Sequence, residues 1–319
     1  MRVLIVGAGA TGGAFGTRLH EADRDVTYLV RAHRAAALHR DGLRLIAPDG
    51  DRTHAVRAVS AIDTTEPYDL VILAVKAPAL EQVLDTAAPG IGPATTILPI
   101  LNGMDHLDTI EQRYPGQVIG GLVKIVATLD ESGAIVQMNP LCTMTIGPLH
   151  KPLPQRVIDT LDVAGLQLSV SDDITGRLWE KWAFIAAAGV VTCLLRNDIG
   201  SIIAAGGEQQ IHQAIAETEA VARAAGHPVS PAGHAQSVNI LTEPASTFTS
   251  SLYRDLQKGE AAEAEHILGA LSARADALRV ETPLLDLTLT QIRAHHLRHD
   301  RKSSVNRPEP DIAPGSIRA

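Results

Sequence analysis

The sequence predicts an α/β protein: a doubly wound parallel sheet over residues 1–170, followed by an all-helical part over residues 171–300. Three observations carry this reading. Short continuous apolar runs, among them Arg2–Val6, Val26–Val30, Asp69–Val75 and Thr95–Leu101, alternate with helical segments, as buried parallel strands do in βαβ units. A glycine-rich turn, Gly7-Ala8-Gly9-Ala10-Thr11-Gly12-Gly13, follows the first of these runs directly. From Asp172 onward the period is helical, with almost no strand-like alternation.

The first run and its turn form Gly7-x-Gly9-x-x-Gly12 between a strand and the amphipathic segment Ala14–Ala22, which is the Rossmann-type dinucleotide fingerprint in its proper context. The first glycine permits the tight turn, the second lets backbone approach a pyrophosphate, and the third lets the helix pack on the strand. Backbone N–H groups at the helix start then face the phosphates, so Gly7, Gly9, Ala10, Thr11 and Gly12 are the expected cofactor contacts. An NAD site ends its second strand on a carboxylate for the ribose. No carboxylate occurs from Val26 to Arg40, and Arg31 and Arg34 stand there instead. A guanidinium takes a 2'-phosphate through two parallel hydrogen bonds, which predicts NADP(H) through Arg31.

A helix to about Arg40 follows, then Leu43–Ile46 and Thr53–Val59 around the turn Pro48-Asp49-Gly50-Asp51, which reads as a hairpin. The strand Asp69–Val75 ends at Lys76; a helix runs from Pro78 to about Ala87; Thr95–Leu101 ends at Asn102-Gly103-Met104. Ligands of such sheets sit beyond the carboxyl ends of the strands, where the glycine turn, Arg31, Lys76 and Asn102 all fall. Further strands are expected at Val118–Leu129, Ala134–Met138, Thr143–Ile146 and Leu166–Val170, with a helix over Pro154–Ala164. Helices are expected at Thr175–Arg196, Glu208–Ala225, Pro231–Leu241, Ser250–Lys258, Glu260–Arg279 and Pro283–His299. The tail, residues 301–319, carries Pro308, Pro310 and Pro314 with little to bury and is expected to be disordered.

Composition narrows the function classes. With 45% hydrophobic and 20% charged residues the chain reads as an ordinary globular protein. A net charge of -8, scattered basic residues and 3% aromatics point away from nucleic acid. The chain enters a strand at once, with no leader-like segment and no apolar run of transmembrane length, so a cytoplasmic location and no membrane are expected. Cys142 and Cys193 form no motif and read as reduced core thiols. No metal site is expected: the 13 histidines include no HExxH, and His295, His296 and His299 suit the end of the last helix. No strongly apolar exposed helix face marks an interface, so a homodimer is allowed rather than predicted.

Two clusters in the second half carry chemistry. Lys181 lies in Leu178-Trp179-Glu180-Lys181-Trp182-Ala183-Phe184-Ile185-Ala186, the start of a long apolar helix. A lysine there either snorkels to solvent or, partly desolvated, has its pKa lowered toward that of a proton donor. Ser251 and Asp255 stand one helical turn apart, with Glu263 downstream; on their own they suit a cap and a salt bridge equally well.

Taken together, Gly7-x-Gly9-x-x-Gly12, Arg31, Val75-Lys76, Leu101-Asn102-Gly103-Met104, Trp179-x-Lys181 and Ser250-Ser251-x-x-x-Asp255 with Glu263 resemble the ketopantoate reductases over about Met1–His299. The resemblance implies a Rossmann domain joined to a helical domain of the 6-phosphogluconate dehydrogenase C-terminal type, and NADPH-dependent reduction of 2-dehydropantoate to (R)-pantoate in the cleft between them. It further implies that Lys181 is the general acid with Glu263 beside it, and that Ser251 and Asp255 bind substrate. Asn102 would hold substrate and cofactor, Lys76 would lie by the nicotinamide ribose, and Arg31 would meet the 2'-phosphate. Two positions depart from the family pattern: where asparagines follow the lysine at four and eight residues, this chain has Ile185 and Gly189. The same motifs also suit a relative that reduces a more apolar carbonyl compound, or a non-catalytic NADP(H) sensor.

Overall fold

The computed structural model describes residues 1–64, 66–259 and 263–305, with 298–305 as backbone. The first sheet is built from β1 (Arg2–Val6), β2 (Asp25–Leu29), β5 (Arg57–Val59), β6 (Leu70–Leu73) and β7 (Thr96–Pro99), in the order β5-β2-β1-β6-β7 with every pairing parallel. Its two faces follow from strand alternation. Leu4 and Val6 enter one apolar cluster, while Val3 and Ile5 enter another.

The face bearing Val3 and Ile5 is covered by α1 (Ala10–Glu21) and α2 (Ala32–Asp41). Beyond α1 lies a second sheet. β3 (Leu43–Ala47) and β4 (Gly50–His54) form the expected hairpin, β9 (Ile135–Pro148) carries β8 (Ile119–Leu129) on one edge, and β10 (Gln167–Val170) and β3 lie on the other. Helix α1 fits between the sheets because it is glycine-rich. A Cβ on Gly16 would strike Tyr28 and Ile5 of the first sheet, and one on Gly13 would strike Ile135 of the second.

This second sheet stands in addition to the doubly wound parallel sheet that the sequence predicts, and takes up the later strands. The expected strand Thr53–Val59 is in fact two: the chain leaves the hairpin at His54 and rejoins the first sheet at Arg57. Ala134–Met138 and Thr143–Ile146 fuse into β9, whose ladder with β8 slips between Ile125 and Ala127.

The other face is covered by α3 (Leu80–Ala87) and α4 (Asp105–Arg113), the latter unanticipated; α5 (Gln155–Leu161) belongs with the second sheet. The helical half comprises α6 (Ile174–Leu195), α7 (Ile199–Ala204), α8 (Glu208–Ala224), α9 (Pro231–Leu241), α10 (Ser251–Gln257), α11 (Ala270–Leu278) and α12 (Pro283–Val305). Side-chain caps start several of them: Asp173 accepts from Gly176 N at 2.9 Å, Ser230 from Gly233 N at 3.0 Å and Ser250 from Tyr253 N at 3.0 Å. The last helix passes His299 and continues to Val305, so the start of the expected tail is helical; residues 306–319 lie outside the described residues.

Helix α6 is the central element. It is long and apolar enough to cross a membrane, which corrects the expectation that no run reaches that length, but 67% of its most apolar window is buried against the rest of the protein. Its hydropathy reflects that position: Trp179, Trp182, Ala186 and Val190 share one cluster with Leu4, Val6, Leu101 and Met104 of the sheet-bearing half. Both cysteines are free and buried.

Candidate active site

Gly7 has φ +101°, and a Cβ there would stand 2.8 Å from Ala74 O at the end of β6. A Cβ on Gly12 would overlap Gly7 O and Ala74 Cβ, so a side chain at either position is excluded by backbone. Gly9 is the opposite case. It caps α1 without a side-chain bond and has nothing within 4 Å of its Cβ direction. Unblocked backbone at a helix start, with no acidic residue in the first turn, fits a dinucleotide pyrophosphate.

Arg31 is exposed at the N-cap of α2, at the end of β2. Arg34 is engaged instead: its Nη2 donates to Gly133 O at 2.9 Å and to Ala8 O at 3.4 Å. Burial lowers its pKa, and it braces the glycine turn against the β8–β9 connection.

Across from this edge, Lys181 sits half-buried on the second turn of α6, next to fully buried Trp182. Burial pulls its pKa down from 10.5 to about 8, and nearby Lys124 adds to the fall while Glu263 opposes it. Burial pushes the Glu263 carboxyl up, against the attraction of Lys76 and Lys181. Glu263 opens a π-helical segment, Glu265–Gly269: its carbonyl accepts from Ile267 N at 3.0 Å, and Ile267 O accepts the Trp182 indole N–H at 2.9 Å. The residue after Lys181 therefore fixes the segment that carries Glu263.

Lys76 Nζ meets Asp255 Oδ2 at 3.1 Å, joining the strand edge to α10. Asp255 and Glu263 line a small cleft with Leu252, Leu256, Ile292 and His296. Asn102 is half-buried in the turn before α4, where Gly103 has φ +80° and its Cβ direction meets His266 O at 3.0 Å. Ser251 is exposed at the start of α10, whereas Ser250 is buried, caps the helix and bonds Thr192 Oγ1 at 2.7 Å.

Two family descriptions match in tandem: ketopantoate reductase PanE/ApbA over residues 3–151, and ketopantoate reductase PanE/ApbA C terminal over residues 173–296. The chain belongs to the ketopantoate reductase family. It is accordingly an oxidoreductase acting on a CH–OH group, of the class that reduces a 2-oxo acid with a nicotinamide dinucleotide. It is 31% identical over 300 residues to the uncharacterized oxidoreductase YkpB of Bacillus subtilis, covering 92% of this chain and 99% of that one. It is 27% identical over 289 residues to a 2-dehydropantoate 2-reductase of Streptococcus pyogenes, covering 89% and 94%. The ternary structure of D-mandelate dehydrogenase with NADH and anilino(oxo)acetate shares the fold, with a TM-score of 0.85 at 23% identity over 94% of this chain and 100% of that one.

Where the family resemblance implies an amide eight residues after Lys181, this chain has Gly189. A Cβ there would meet Leu252 Cδ1 at 2.7 Å and Leu268 Cδ2 at 3.4 Å, so leucine occupies the room an asparagine would need. Ile185 is a half-buried apolar neighbour of the same core.

Several residues at this site gave no signal in the sequence. His106, on α4, is 5% exposed with no hydrogen-bond partner for Nε2; burial and the nearby Lys181 push its pKa down to about 4, so the ring is neutral. Arg274 stacks over Trp179 and Trp182 at 5.5 and 5.2 Å and donates to Asp105 Oδ1 at 2.6 Å, tying α11 and α6 to α4. Lys124 could have been noticed, as the one charge inside the apolar run Val118–Thr128.

Proposed function

We propose that this ketopantoate reductase family member is a cytoplasmic, NADPH-dependent reductase of a small 2-oxo acid, with 2-dehydropantoate, giving (R)-pantoate, as the first substrate to test. The observation that carries this is Lys181: a partly desolvated ammonium within the field of the Glu263 carboxylate. Bound at the glycine turn, the dinucleotide supplies a hydride to the carbonyl carbon. Negative charge then develops on the carbonyl oxygen, and Lys181 gives it a proton, an arrangement worth roughly 10²- to 10⁴-fold in rate. Glu263 holds that ammonium in place, and Asn102 and Ser251 donate to substrate oxygens. Asp255 acts through Lys76, fixing the side chain assigned to the ribose. Exposed Arg31 is the 2'-phosphate ligand, and Gly7, Gly9, Ala10, Thr11 and Gly12 hold the pyrophosphate.

A second reading, a 2-oxo acid with a more apolar side chain, is favoured by Leu252 filling the space beside Gly189. NADPH absorbance followed against 2-dehydropantoate and a panel of other 2-oxo acids separates the two, and no consumption with any would overturn both. NADPH is expected to bind more tightly than NADH, with Arg31→Ala eroding the difference; equal affinities in the unaltered protein would remove the 2'-phosphate assignment.

A further inference from the structure

A 2-oxo acid brings a carboxylate, and the usual amide donors are missing at Ile185 and Gly189. Strand β8 offers a cation. It starts parallel beside β7, with Val118 level with Ile97, and a Cβ on Gly121 would strike Leu98 and stand 3.2 Å from Pro99 O. Carried forward in that register, Lys124 is level with Gly103, the neighbour of Asn102, at the carboxyl edge of the sheet. Alternation fixes its face: Val123 and Ile125 join the cluster around α1, while Leu122, on the face of Lys124, joins the one holding Leu101, Met104, Trp179 and Trp182. Lys124 therefore looks toward α6. It is exposed, and the β8–β9 ladder slips just beyond it, after Ile125.

The charges around the cleft are unequal. Lys76 pairs with Asp255, and Lys181 lies within the favourable field of Glu263; among the described residues Lys124 has no ion-pair partner. Its field reaches Lys181, where it disfavours the ammonium. A bound anion between them would offset that effect and help keep Lys181 protonated when substrate is present.

We infer that Lys124 anchors the carboxylate of the substrate, in place of the missing asparagines, and so selects 2-oxo acids over uncharged carbonyl compounds. The inference rests on the 2-oxo acid reading above, and its test is independent of turnover. Oxamate, an unreactive 2-oxo acid analogue, and its uncharged ethyl ester are titrated into the full-length protein with NADP(H) present. Lys124→Met is expected to weaken oxamate binding about ten- to a hundredfold, as for loss of a charged hydrogen bond, while NADPH binding and ethyl oxamate binding stay as they were. Lys124→Arg should retain most of the oxamate affinity. Unaltered oxamate binding in Lys124→Met, an equal loss for acid and ester, or no oxamate binding by the unaltered protein would each overturn the assignment. Oxamate binding that depends on Lys124, in a protein that reduces no 2-oxo acid, would instead overturn the proposed reaction alone.

Discussion

Replacing Gly189 by asparagine places an amide where the family resemblance implies one, and the surrounding packing sets the consequence. The new Cβ would lie 2.7 Å from Leu252 Cδ1 and 3.4 Å from Leu268 Cδ2, so Leu252 must move. Overpacking of this kind costs roughly 1–3 kcal/mol, offset by about 1 kcal/mol because glycine is a poor residue inside a helix. Leu252 is 5% exposed, so Leu252→Ala alone leaves a cavity and costs about 2–5 kcal/mol. In the double variant the asparagine occupies the vacated room. The two effects should then fall short of their sum by about 1 kcal/mol or more, read from urea unfolding of all four proteins. The same four are assayed on 2-dehydropantoate and on its deoxy analogue, 3,3-dimethyl-2-oxobutanoate. The double variant should shift the ratio of kcat/KM toward the hydroxylated substrate by about tenfold, since a buried amide rejects a partner lacking the hydroxyl. Additive stabilities with an unchanged ratio would show that the Leu252 contact does not shape the substrate site.

The proposed reaction requires Lys181 to be protonated, and its pKa is lowered from 10.5 to about 8, so kcat/KM should hold below pH 8 and fall about tenfold per pH unit above it. A profile flat to pH 10 would remove Lys181 as the acid. Trp182→Phe deletes the indole N–H that Ile267 O accepts in a fully buried position; it should destabilise by about 1–3 kcal/mol and lower kcat severalfold while leaving NADPH affinity unchanged. Lost stability with unchanged kcat would make that bond structural only.

What the sequence disclosed follows the range of the forces involved. The strand–turn–helix of Arg2–Glu21 is local, and its glycines are required by contacts only a few residues or one strand away, so it was readable in full. The second sheet was not, because the partners of β3 lie in β9 and alternation identifies a strand without naming its neighbour. The break at Ala55 was hidden by an apolar run that looks continuous while changing sheets. Helix α4 buries little besides His106, Leu107 and Ile110, too few positions for a clear period. At the site, Lys181 and Glu263 are separated by most of the helical half. Their association rests on the family pattern in the sequence, and in the structure on the link from Trp182 to Ile267. Lys124 is visible as the one charge in its apolar run, but its place at the site depends on register, and Arg274 depends on packing between halves, which no short window contains.

The contacts that join the two halves divide into those that hold them and those that aim side chains. Lys76 and Asp255 have side-chain exposures of 48% and 20%, and an ion pair that open to water contributes only about 0–1 kcal/mol. The apolar cluster running from Leu4 and Leu101 to Trp179 and Trp182 is a larger attraction, since each fully buried large side chain contributes about 1.5–3 kcal/mol. The halves are therefore held by the core, and the Lys76–Asp255 pair orients Lys76. Arg274 combines both roles, for its guanidinium stacks on two indoles while its hydrogen bond to Asp105 sets the start of α4, the helix that brings His106 beside Lys181. Removing a polar link across the cleft should accordingly change how Lys76 or Asn102 meets a ligand, whereas removing Trp182 disturbs the core and the Lys181–Glu263 geometry together.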